Sequence, residues 1–199
     1  MTRLYVYSTV LAAFVAVTGM LISSIFIPQW ISYHVSTPKG GDIQIHVGLH
    51  ERCFSNQDPQ CREYPPADLC TGREGETFCS LWRTIGFAAS FSAILCLASL
   101  VCLVVVIKGG RYRRETGWPL VSGMLSLVSV IEFFIIAAVA YLFDHNDQFD
   151  ISGWYLDKSW NMSLASGLLC LFGAVGLAGS AYLLPSEDGY EFLEDAQES

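Results

Sequence analysis

At 199 residues the chain has the length of one ordinary domain, but 52% of it is hydrophobic and only 15% charged, with a mean hydropathy of +0.41, which excludes an ordinary soluble globule. The formal net charge of −8 does not suggest a nucleic-acid partner, since the only basic cluster is a short link between two apolar segments, read as a topology signal in contact with anionic lipid.

The apolar residues are bunched into four segments, Leu4–Ile27, Thr84–Ile107, Trp118–Phe143 and Asn161–Leu184. Each is long enough to cross ~30 Å of hydrocarbon at about 1.5 Å per residue. Four soluble helices without a polar face are the alternative, and globular packing offers no reason for them. The expected fold is therefore an all-α four-helix transmembrane bundle over residues 1–184, with outer loops at 28–83 and 144–160 and an acidic tail at 185–199. The first segment is about twice as long as a signal-peptide core of 7–15 residues, and no small-residue cleavage pattern precedes Pro28-Gln29-Trp30, so it reads as a retained span.

After the first span comes the only long polar interval. Trp30–Val35 is rich in β-branched and aromatic residues, and Asp42–His50 alternates Ile43, Ile45, Val47 and Leu49 with polar or small residues. Pro38–Gly41 supplies turn chemistry between them, which predicts a β-hairpin. The alternation puts Ile43, Ile45, Val47 and Leu49 on a face toward the bundle and leaves Gln44, His46 and His50 on the other, with the tip near Lys39. Cys53, Cys61, Cys70 and Cys79 follow. Much of 55–77 is Gly, Pro and charge, so disulfides are the means of fixing it. A zinc site built from these cysteines and a histidine lacks the tight C-x2–4-C knuckle.

Lys108, Arg111, Arg113 and Arg114 crowd the link between the second and third spans, whereas Asp144–Gly153 between the third and fourth has no Lys or Arg. That bias places the link and both termini in the cytoplasm and both long loops outside. The cysteines agree, with four in the first outer loop and Cys96, Cys102 and Cys170 in spans. Trp30, Trp82, Trp118 and Trp160 fall at span ends, where aromatic belts form.

Small residues recur at four-residue spacing at Gly86/Ser90, Ser122/Ser126, Ser163/Gly167 and Gly176/Ser180, which favours close helix approach in lipid. Glu132 is the one acid near the middle of a span. A charge there costs at least ~2.5 kcal/mol, so a hydrogen bond to a hydroxyl such as Thr18 or Ser92 is expected. No catalytic constellation and no cofactor or metal motif is recognisable, and the chain reads as a non-enzyme. Asn161-Met-Ser163 has the form of a glycosylation sequon but abuts the fourth span, and Tyr190–Leu193 has the form of a tyrosine-based sorting signal.

Trp30, then Gly48-Leu49, then Cys53 and Cys61, with Arg83 at the start of the second span, resembles the W…G-L-W…C…C signature of the claudin superfamily. That superfamily includes the peripheral myelin protein, the epithelial membrane proteins and related fungal tetraspan proteins, and the resemblance covers nearly the whole chain. The sequence departs from the pattern at His50, which stands in place of the second tryptophan, and in the additional Cys70 and Cys79. Its C-terminal Gln-Glu-Ser also lacks the hydrophobic final residue with which claudins reach PDZ scaffolds. The resemblance implies a small extracellular antiparallel sheet on a left-handed bundle and a Cys53–Cys61 disulfide. Of three possible pairings, Cys53–Cys61 with Cys70–Cys79 is preferred. It further implies an integral protein of the plasma membrane, whose partners are the bilayer and other membrane proteins, including its own copies in cis or in trans. Adhesion, junction formation or membrane-domain organisation is the expected role, with an auxiliary or signalling subunit of a channel, receptor or pH-sensing complex as the alternative.

Overall fold

The computed structural model describes residues 2–36, 42–55 and 60–183. Four helices are long and apolar enough to cross a membrane: α1 (Thr2–Phe26), α2 (Gly72–Lys108), α4 (Trp118–His145) and α5 (Lys158–Leu183). A short helix, α3 (Gly110–Thr116), lies in the link between α2 and α4. α1 packs on α2 and α5, and α4 packs on α2 and α5, which closes a four-helix ring. Several hydroxyls inside these helices bond back to carbonyls three or four residues earlier, as Thr18 does to Phe14 and Ser99 to Leu95, so that they need no water.

Five antiparallel strands form one sheet in the order β4-β3-β2-β1-β5. They are β1 (Ile31–Ser36), β2 (Asp42–Val47), β3 (Glu51–Phe54), β4 (Cys61–Glu63) and β5 (Trp154–Leu156). The expected hairpin is present as β1 and β2, with Ile31 opposite Val47 and Ser36 opposite Asp42. Its turn at 37–41, with Lys39, lies outside the described residues, as do the tail and Tyr190–Leu193.

The sheet sits at one end of the bundle. Its core joins Trp30, Ile31, Val47, Leu49 and Tyr64 to Phe78, Trp82 and Ile85 of α2 and to Ile135, Val139 and Leu142 of α4. At the opposite end the Tyr7 hydroxyl donates to the Arg114 carbonyl, and Trp118 meets Tyr182 edge to face. The starts of α1 and α4, the link, and the end of α5 therefore share one end.

Three features differ from the sequence expectation. The second apolar segment is only the inner part of a 37-residue helix that begins at Gly72. Its polar start is held helical by a buried stripe of Phe78, Cys79, Trp82, Ile85 and Ala89, spaced at three and four residues. At about 1.5 Å per residue this helix is about 55 Å long, so roughly 25 Å of it stands beyond the hydrocarbon. Trp30 and Trp82 are 1% and 0% exposed, inside the junction of sheet and bundle rather than in a belt facing lipid headgroups. Their indole N–H groups donate to the Ser24 and Leu49 carbonyls, so the rings serve as struts. Lastly, β2 ends at Val47, because residues 48–50 turn the chain into β3 through a hydrogen bond from Gly48 N–H to the Glu51 carbonyl.

Candidate functional site

Opposed residues in antiparallel strands share a face. One face of the sheet carries Ile31, Tyr33, Val35, Ile43, Ile45, Val47, Arg52, Phe54 and Trp154, and the other carries Ser32, His34, Gln44, His46, Cys53, Cys61 and Tyr155. The apolar–polar division agrees with the expected alternation for residues 43–47. Burial, however, is graded along the strand as well as between faces. Val47 is fully buried, Ile45 half-buried and Ile43 37% exposed, so the hairpin rises off the bundle toward its tip.

The base of the sheet is clamped. A Cβ on Gly48 would lie 2.7 Å from the Cα of Pro28, so only glycine lets the end of β2 cross the exit of α1. Trp30 N–H donates to the Val47 carbonyl immediately beside it, and Leu49 is buried. Ser32 Oγ donates to Asp157 Oδ2 at 2.6 Å and lies 2.8 Å from His46 Nδ1. A hydroxyl has one proton, so His46 Nδ1 carries its own proton and donates to Ser32. Asp157 Oδ1 also accepts from the Lys158 backbone N–H at the start of α5, which ties β1, β2 and α5 together. His46 is thus a structural partner, not the free outward residue that the alternation implies. His34 with Gln44, and Ser36 with Asp42 beyond them, are exposed polar pairs on that face.

Cys53 pairs with Cys61 as directly opposed residues of β3 and β4, and Cys70 pairs with Cys79 across the first turns of α2. Glu51, Cys53 and Cys61 offer three ligand atoms within 4.8 Å, but both sulfurs belong to the disulfide and supply no thiolate. Arg83 is exposed on α2 in a shallow recess with Glu76 and Ser80. On the apolar face, the Arg52 guanidinium lies over the rings of Phe54 at 5.0 Å and Trp154 at 5.8 Å. Burial pulls its pKa below the ordinary arginine value, and the nearby Tyr64 hydroxyl opposes that shift. Burial drives Tyr64 well above the usual tyrosine range, against the pull of Arg52 and of its hydrogen bond to Gln148.

Inside the bundle Glu132 is 1% exposed. Its Oε1 accepts from Ser92 of α2 at 2.6 Å and its Oε2 from Ser163 of α5 at 2.5 Å, so one side chain of α4 joins three helices. Ser92 was among the expected donors; Thr18, the other, bonds within its own helix. The seam between α4 and α5 continues with Ser129 donating to the Gly167 carbonyl and Ser122 to that of Ala174. A Cβ on Gly167 would lie 3.1 Å from that of Glu132, which accounts for glycine there. Gly176, by contrast, has nothing within 4 Å of such a Cβ.

Sequence reasoning missed Ser163 as a partner of Glu132, because its spacing from Gly167 reads as a packing motif. It also missed Asp157, although an aspartate immediately before an apolar helical run is a capping signal. The chain matches no family model and no curated protein.

Proposed function

We propose that the chain is a claudin-like four-span protein of the plasma membrane, whose disulfide-fastened outer sheet contacts other membrane proteins, including copies of itself. The excess of Lys and Arg in the link between α2 and α4 supports a cytoplasmic side for the end shared by α1, α4 and α5, with the sheet on the other side. The observation that carries this reading is the gradient of burial along the hairpin. The base is locked into the bundle by Gly48, Trp30 and Asp157, while His34, Gln44 and Ile43 stand clear of it. A sheet held rigidly at one end and exposed at the other loses little entropy on docking, which suits it to recognition.

The test separates surface level from association in cells. Gln44→Arg and His34→Glu should reduce association severalfold at normal surface level, whereas Ile45→Asp should reduce surface level itself. Recovery of a larger membrane protein in fixed stoichiometry, in place of self-oligomers, would favour the auxiliary-subunit role. If the polar-face variants leave association intact while substitutions on the exposed helix faces abolish it, binding belongs to the bundle.

A further inference from the structure

The turn at 48–50 lies where two apolar segments end. Gly48 crosses Pro28, which follows the last residue of the first segment, and His50 lies against Gly86 of α2, its Cε1 3.4 Å from where a Cβ on that glycine would be. Counted back from Ile107 at about 1.5 Å per residue, ~30 Å of hydrocarbon ends at about Ala88. The headgroup layer adds roughly 5–8 Å on each side, so residues 83–87 of α2 fall within it. Gly86 therefore admits a side chain of this turn, although its spacing from Ser90 reads as helix packing.

The turn is held firmly there. Trp82 donates to the Leu49 carbonyl, Tyr64 N–H to that of His50 and Gly48 N–H to that of Glu51. The His50 side chain is still exposed, and so is Arg83, which flanks Gly86 one turn away on α2. Neither side chain has a hydrogen-bond or ion-pair partner among the described residues. Glu76 shares the recess with Arg83 but stands about 10 Å farther from the hydrocarbon along the helix.

We propose that His50 and Arg83 together hold the phosphate of a membrane phospholipid. Both are donors at the depth of the phosphates; the guanidinium fork matches two phosphate oxygens at once, and an imidazole N–H adds a third bond. Phe87, 72% exposed and one turn from Arg83 toward the hydrocarbon, begins the surface along which the chains of that lipid lie. A phosphate held here seats the base of the sheet on the bilayer surface as well as on the bundle. The inference rests on the chain spanning a membrane and not on what the sheet contacts, so its failure leaves the association experiments unaffected.

The full-length chain, purified in mild detergent, is titrated with phosphatidylglycerol and with diacylglycerol of identical acyl chains, which lacks the phosphate, and retained lipid is counted by native mass spectrometry. Phosphatidylglycerol should be retained about tenfold over diacylglycerol. Arg83→Gln should lower that retention about tenfold and His50→Gln about threefold, while Arg83→Lys should keep most of it. Lys158→Gln, which removes an exposed cation at the start of α5, should change it less than about twofold, and inorganic phosphate in excess should not displace the lipid. All these positions are exposed, and intact Cys53–Cys61 and Cys70–Cys79 disulfides confirm folding in each variant. Equal retention of the two lipids, wild-type retention in Arg83→Gln or His50→Gln, an equal loss in Lys158→Gln, or displacement by inorganic phosphate overturns the proposal.

Discussion

Glu132 accepts hydrogen bonds from serines on two neighbouring helices, so its size and bonding capacity join three helices. Glutamine at this position can still accept from one serine and donate to the other, so Glu132→Gln should shift stability in detergent by less than about 1 kcal/mol. Glu132→Leu leaves two buried hydroxyls to find carbonyls within their own helices, and should cost about 1–3 kcal/mol, read as a lower unfolding midpoint. A Gln variant that assembles normally but loses function would instead make Glu132 a titrating group. Tyr64 gives a second prediction, in pH. Burial raises its folded pKa, so its contribution to stability is fully present below the unfolded value of about 10 and is lost as pH rises through the folded one. The sheet should therefore loosen above about pH 10, and Tyr64→Phe should flatten that alkaline limb; an unchanged limb in the variant would assign it to other groups.

Among the elements, β4 is the least secure, because its three residues are all exposed and pair only with β3. The Cys53–Cys61 bond is what holds it, and closing so short a loop is worth about 2–3 kcal/mol. Cys53→Ala should deliver poorly to the cell surface, and peptide mapping without reduction should recover the Cys53–Cys61 pair; alkylation of both thiols in the native protein would refute it. The same elements show what was legible beforehand. The spans and the β1–β2 hairpin announce themselves through long apolar runs and a clean period of two, patterns that burial on one side imposes on the sequence itself. β3, β4 and β5 carry no such period: each is only three or four residues long, and β5 is fixed by a partner far along the chain, Trp154 lying opposite Tyr33. The outer extension of α2 was hidden for a related reason. Its exposed polar residues outnumber the stripe of Phe78, Cys79 and Trp82 that makes it helical. Nothing in the pattern of residues showed that Trp30 and Trp82 would be internal struts or that His46 would be bonded to Ser32.

Across the whole molecule, these parts make one body with two different ends. Trp82 and Leu49 join α2 to the sheet, Asp157 joins the sheet to α5, and Glu132 joins α2, α4 and α5 in the middle. A push on the sheet is therefore borne by the bundle. The exposed faces of the helices, with Phe172 at 67% and Val101 at 63%, are what lipid would cover. The central claim is that partners meet the sheet and not those faces. Its most direct test is a photo-crosslinking amino acid placed in intact cells at Gln44 in one variant and at Phe172 in another. Adducts to protein should form from position 44 and not from position 172; protein adducts from 172 alone, at equal surface level, would contradict the account.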